Sequence, residues 1–150
     1  MGKSDERVRP EPDREPKTQY AAVPWRRTPA GVEVLLITSR ETRRWVIPKG
    51  WPIKGLKPPA SAGQEALEEA GVTGQTTRKA IGVYHYEKRL RSGRTQHVRV
   101  FVFGLEVAEE RDEWPEKGQR ERRWTTPAEA SELVDEKELK KLLAVFEPKA

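Results

Sequence analysis

The segment Gly50–Val72, GWPIKGLKPPASAGQEALEEAGV, gathers three glutamates within two turns of a predicted helix. Pro59–Ala70 reads as helical, and Glu65, Glu68 and Glu69 stand within it at i, i+3 and i+4. At about 100° per residue these spacings confine the carboxylates to an arc of roughly 100°. Ala62, Ala66 and Ala70 recur beside that arc, a low-relief stripe on which the helix can pack closely against a sheet. Gly71 stands where a helix C-cap glycine belongs. Lys57 offers no good side-chain cap, so Pro58 is expected to set the helix start through its own φ.

Like charges at these spacings weaken an isolated helix by some tenths of a kcal/mol per pair, so something should compensate. Oxygen ligands on one helix face suit a hard divalent cation such as Mg2+ or Mn2+, which binds few carboxylates, keeps waters and bridges to phosphate oxygens. A solvated acidic face is the alternative reading of the same residues.

Outward from this helix, Gln19–Pro24, Val32–Ser39, Arg44–Pro48, Thr76–Lys88, Thr95–Val107 and Arg120–Thr125 read as strands. Arg91-Ser92-Gly93-Arg94 is a good hairpin turn between the two long ones. Pro127–Val134 and Glu136–Phe146 read as helices, the latter with Leu139, Leu142, Leu143 and Phe146 on one stripe. Strands outnumber helices in mixed order, which points to an α+β chain built as a sandwiched α/β/α domain with a mixed β-sheet.

The chain has 150 residues, 35% of them hydrophobic and 35% charged, with no cysteine, which excludes disulfides, thiolate metal sites and a cysteine nucleophile. Its apolar runs are too short for a membrane span, and the lack of cysteine fits a cytoplasmic protein. Residues 1–18 are Pro-rich and sum to zero charge, so a disordered charged leader is expected there and one domain over 19–150. The net charge of +5 therefore belongs to the domain, and Arg78–Arg99 alone carries seven basic residues against Glu87. Such a concentration suits an anionic partner, or else a solvated hairpin tip.

The full spacing from Gly50 resembles the signature of the Nudix hydrolases, G-x5-E-x7-R-E-U-x-E-E-x-G-U, where U is bulky and aliphatic. Gly50, Glu65, Glu68, Glu69, Gly71 and Val72 match without a gap, and Ala66 is a weak match to the first U. Leu56 replaces the first glutamate and Gln64 the arginine. Loss of an acid and a base together leaves no orphaned charge. The approach Thr38-Ser39-Arg40, then Arg44 to Gly50, is similar to the diphosphoinositol polyphosphate phosphohydrolase branch, with Lys49 inside the usual Pro-Gly-Gly. Trp114-Pro115-Glu116, Arg122-Arg123-Trp124 and Thr126–Ala130 resemble that family's late loop, strand and final helix, so the likeness spans about residues 19–146.

The resemblance implies a Nudix-type fold and metal-dependent hydrolysis of a pyrophosphate linkage, with Mg2+ or Mn2+ as cofactor. It implies Glu65, Glu68 and Glu69 as metal-binding and catalytic carboxylates, joined by the Gly50 carbonyl. A further acid is often drawn from a late loop; Glu116 is the candidate, with Glu113 and Glu121 as alternatives. Arg26, Arg40, Lys49, Lys54, Arg89 and Arg122 are the candidate substrate-binding residues, since arginine can grip phosphate bidentately and lysine acts as a point charge. His85 and His97 are expected to be satisfied on their strands, and Trp25, Trp45 and Trp124 to pack in the core or at the sheet edge. The implied substrate is a polyphosphorylated small molecule, a diphosphoinositol polyphosphate or dinucleoside polyphosphate. The alternatives are removal of pyrophosphate from an RNA 5′ end, or a non-catalytic domain that binds a phosphorylated ligand.

Overall fold

The computed structural model describes residues 16–149, so most of the expected leader lies outside the described residues. Strand β1 (Lys17–Thr28) starts inside the span assigned to that leader and runs antiparallel to β2 (Gly31–Thr38). Two short ladders, β3 (Trp45–Val46) and β4 (Lys49–Gly50), replace the single strand expected over Arg44–Pro48. Helix α1 (Pro58–Glu65) continues into a π-helical turn, Ala66–Ala70, and leads to β5 (Val72–Thr76) and β6 (Gly82–Arg89). The long β7 (Thr95–Glu110), β8 (Arg122–Thr125), α2 (Pro127–Leu133) and α3 (Lys137–Ala144) complete the chain.

The strands form a mixed sheet of order β3-β2-β1-β7-β5, with β4 on β1, β6 on β7 and β8 on β2. Only β1 and β7 run parallel; the other pairs are antiparallel. The strand expected over Thr76–Lys88 is two strands. Both lie along one edge of β7, β6 pairing its first half and β5 its second, so the chain must leave the sheet between Thr76 and Gly82 to change partner. The Arg91–Arg94 hairpin is as expected, closed by Leu90 N–H to Arg94 O at 2.7 Å with Gly93 at φ 90°.

Strand alternation sends side chains to two separate cores. Ala21, Val23, Trp25, Val34 and Leu36 pack beneath α2 and α3 with Tyr84, Leu139 and Leu143. Ala22, Leu35 and Ile37 face the opposite layer with Ala62, Ala66, Ala70 and Phe103. The unbroken apolar run Val34–Ile37 thus belongs to a strand covered on both faces, and the alanine stripe is the seat of α1 on the sheet. This is the expected α/β/α sandwich. Among the described residues, no helix is long and apolar enough to cross a membrane.

Candidate active site

Helix α1 starts without a side-chain cap at Lys57 and with proline in its first turn, as its sequence implies. Its end departs from expectation. Across Ala66–Ala70 the backbone adopts the wider π turn, closed where the Gly71 N–H reaches Ala66 O and Leu67 O. Gly71 takes φ 71°, a left-handed conformation that suits glycine. Across this turn the three glutamates do not share one setting. Glu69 is buried and Glu65 half-buried, both lining one cleft, whereas Glu68 is outside its lining and accepts from Gln64 Nε2 at 2.8 Å.

The last carbonyls of a helix need partners from elsewhere, and here the segment 111–122 supplies them one after another. Glu116 N–H donates to Glu68 O (3.1 Å), Trp114 Nε1 to Glu69 O (3.2 Å), Arg122 Nη1 to Ala70 O (3.1 Å) and Arg111 N–H to Gly71 O (2.8 Å). The Trp114 ring covers Gly71, and the Arg122 guanidinium stacks on that ring at 3.9 Å. The late loop therefore clamps the end of the helix that carries the glutamates.

The cleft has a volume of about 570 Å³. Burial, followed by the charges of the neighbouring Glu69 and Glu68, pushes the Glu65 carboxyl up to about 7. Burial also raises Glu69, opposed by Arg120 and Lys49, and the Lys49 backbone N–H donates to Glu69 Oε1 at 3.2 Å. Burial pushes the Lys49 ammonium down against the pull of Glu69 and Glu136. Gly50 is held in place by the ladder to Tyr20, and a β-carbon there would land on the Glu65 carboxyl group. Gly50→Ala should therefore displace Glu65 and lower kcat about tenfold while the protein stays folded, by steady-state kinetics beside a thermal melt.

Of the sequence-derived binding residues, Arg40, Lys49 and Arg89 line this cleft with Gly50, Glu65 and Glu69. Three others lie outside its lining. Arg26 pairs with Glu33 at 2.8 Å and stacks on Trp124 at 4.0 Å; Arg122 serves the helix clamp; Lys54 is exposed in the turn that precedes α1. Among the late-loop acids, Glu113 pairs with Lys117 and Glu121 with Arg43, both exposed. Glu116 lies close enough to the glutamates for its charge to act on both Glu65 and Glu69, although it does not line the cleft itself. Residues the sequence did not single out also line the cleft: Arg120, Lys88, Tyr86, Trp51 and Gln19. Only Lys88 left a trace, as part of the basic run before the hairpin. His85 and His97 stack on each other with their Nδ1 atoms on Glu138 and Glu87, satisfied as expected.

Among the described residues, no three histidine or acid side chains converge as a ready-made metal cage. The set that faces the cleft is nevertheless all oxygen, two carboxylates in contact beside a glycine main chain. That chemistry fits a hard divalent cation, which takes few protein ligands and retains waters. A larger hollow of about 800 Å³ lies between the β5–β6 connection and the C-terminal segment. It is mainly apolar and holds none of the candidate residues, so chemistry rather than size selects the smaller cleft.

The NUDIX domain model matches residues 17–146. Nudix hydrolase 12, mitochondrial, of Arabidopsis thaliana is 33% identical over 118 residues, covering 77% of this chain and 58% of the relative. Diphosphoinositol polyphosphate phosphohydrolase 2 of Rattus norvegicus is 30% identical over 125 residues, covering 81% of this chain and 65% of the relative. The chain thus spans somewhat more than half the length of these relatives. Among solved structures, the C. elegans Ap4A hydrolase superposes with a TM-score of 0.62 at 20% identity, over 87% of this chain and 95% of that one. At that identity the likeness speaks for the fold alone.

Proposed function

The chain belongs to the NUDIX domain family, and from that premise we propose that it is a metal-dependent hydrolase cleaving a pyrophosphate linkage in a highly phosphorylated substrate. One observation carries this: a single cleft sets the Glu65 and Glu69 carboxylates among Lys49, Lys88 and Arg89. Among the described residues, none of those three basic side chains is engaged in an ion pair, and Lys49 Nζ lies 5.1 Å over the Tyr86 ring. Cations held in no ion pair favour an anion, and two buried or half-buried acids that push each other's protonation up, with Arg120 reaching only Glu69, favour a metal. A metal-bound polyphosphate satisfies both.

In this reading the Glu65 and Glu69 carboxylates and the Gly50 carbonyl hold the cation, Mg2+ or Mn2+, with Glu68 as a further ligand if it turns from Gln64. When bound, such a cation would supply neutralisation of the polyanion and an acidified water for attack at phosphorus. Glu116 is the candidate acceptor for the water's proton. Arg40, Lys49 and Arg89, joined by Lys88, grip phosphoryl oxygens within the same cleft. The Arg40 guanidinium is exposed at the rim and rests on Gln119 Oε1 at 3.1 Å, a neutral contact that a phosphate could replace. The preferred substrates are diphosphoinositol polyphosphates or dinucleoside polyphosphates, and a cytoplasmic location accords with the lack of cysteine.

The test is turnover. Full-length protein with Mg2+ or Mn2+ is incubated with an inositol pyrophosphate, a dinucleoside tetraphosphate, a nucleotide sugar and triphosphorylated RNA, and the phosphorus products are identified. Cleavage of the first or second class supports the proposal; exclusive cleavage of RNA names a 5′ pyrophosphohydrolase instead. Tight binding without turnover of any member identifies a non-catalytic domain. Arg40→Ala should raise KM about fivefold or more, through loss of a charge-assisted contact, and leave the metal dependence unchanged. An unchanged KM would remove Arg40 from the binding site.

A further inference from the structure

The cationic side chain in direct ion-pair contact with Glu69 comes from outside the helix. Arg120 follows the short 3-10 turn Lys117–Gln119 and extends back beneath the end of β2. Its Nε donates to Glu116 Oε1 at 2.7 Å, its Nη1 to Thr38 O at 3.1 Å, and its Nη2 lies 3.6 Å from Glu69 Oε2. The side chain is 10% exposed although it lines the cleft. Residue 64, on the helix itself, is a neutral glutamine that reaches only Glu68. No charge from that side orders the acids.

We propose that Arg120 is a positioning residue, which holds the Glu116 and Glu69 carboxylates in register with each other for the hydrolysis proposed above. The inference rests on that proposed function. A guanidinium is a planar fork, and this one is anchored on the Thr38 carbonyl at the end of a core strand. Its remaining edges orient one carboxylate from the late loop and one from the helix. Glu69 is thus oriented at both oxygens, Oε1 by the Lys49 N–H and Oε2 by Arg120. Glu116 has its main chain tied to Glu68 O and its carboxylate tied to Arg120, so among the described residues Arg120 is the contact that orients this carboxylate. The nearest partners of Arg120 are two carboxylates and a main-chain carbonyl. That separates it from Arg40 and Arg89.

A lysine cannot serve three directions at once, so both Arg120→Lys and Arg120→Ala should lower kcat, by about 10- to 100-fold, the scale expected when catalytic groups shift by an ångström. KM for dinucleoside tetraphosphate or inositol pyrophosphate should change less than about threefold, as a role confined to positioning the acids requires. Millimolar guanidinium should restore at least part of kcat in Arg120→Ala and leave wild type unaffected, which mere loss of stability would not produce. Thermal melts run beside the kinetics, and Arg120→Lys serves if the alanine variant does not fold. Wild-type kcat in both variants, or a rise in KM at constant kcat, overturns the positioning role and leaves the hydrolase intact. Absence of turnover by the wild type overturns the hydrolase proposal and this inference with it.

Discussion

Glu69→Gln should lower kcat for metal-dependent hydrolysis by at least about a hundredfold, the largest loss expected from any single substitution in the chain. The substitution keeps shape and removes charge. Glu69 is 9% exposed, its Oε1 receives the Lys49 N–H, and its Oε2 faces Arg120. A carboxylate so enclosed has little freedom, so a glutamine in its place cannot swing out to let another ligand in. The neutral amide is a poor ligand for a hard dication, and its NH2 group would direct donors at Arg120 or at the Lys49 N–H. The measurement is steady-state kinetics at saturating magnesium, with circular dichroism to confirm the fold. Wild-type turnover in the variant would remove Glu69 from the metal centre.

Gly71→Ala should destabilise the protein by about 3 kcal/mol, from two separate causes. A left-handed residue with a β-carbon costs about 1 kcal/mol or slightly more. In addition, the new β-carbon would approach within 2.6–2.8 Å of the Trp114 ring, forcing a packed indole to move at about 1–3 kcal/mol. The ring cannot move without loosening its Nε1 bond to Glu69 O and its stacking with Arg122. Activity should therefore fall together with stability. Gly118→Ala is the control, since a β-carbon there meets nothing within 4 Å. Urea unfolding of the three proteins checks this: similar midpoints for Gly71→Ala and wild type would refute the clamp.

Which parts of the site were legible follows from how each is encoded. Glu65, Glu69, Gly50 and Gly71 lie in one continuous segment, so their spacing alone brought them together. Arg120 and Tyr86 reach the cleft from a late loop and from β6, and only the sheet topology makes them neighbours. Arg122 and Arg26 lie outside the cleft lining, and a basic residue looks the same in a sequence whether it meets phosphate, a helix carbonyl or a glutamate. Here one caps Ala70 and the other pairs with Glu33. Glu68 lies outside the cleft lining on Gln64 Nε2, and neither that contact nor the π turn over Ala66–Ala70 leaves a signature in residue type. The fold was more legible, since Val34–Ile37 and the alanine stripe each demand burial. The strand over Thr76–Lys88 was not, because the break at residues 77–81 arises from two strands sharing β7 rather than from a local breaker.

The basic excess, once the neutral first 18 residues are set aside, acquires a location. Lys49, Lys88 and Arg89 line the same cleft as the buried Glu69 and the half-buried Glu65, and Arg120 links Glu69 to the end of β2. Acid and base lining one cleft are what a polyphosphate with its divalent cation requires. Phosphorus NMR of the wild-type protein with a dinucleoside tetraphosphate and an inositol pyrophosphate, first in EDTA and then after excess Mg2+, tests this most directly. The account predicts no change in EDTA and progressive loss of anhydride resonances once magnesium is present. Unchanged spectra for both substrates in magnesium, or cleavage that proceeds equally in EDTA, would contradict it.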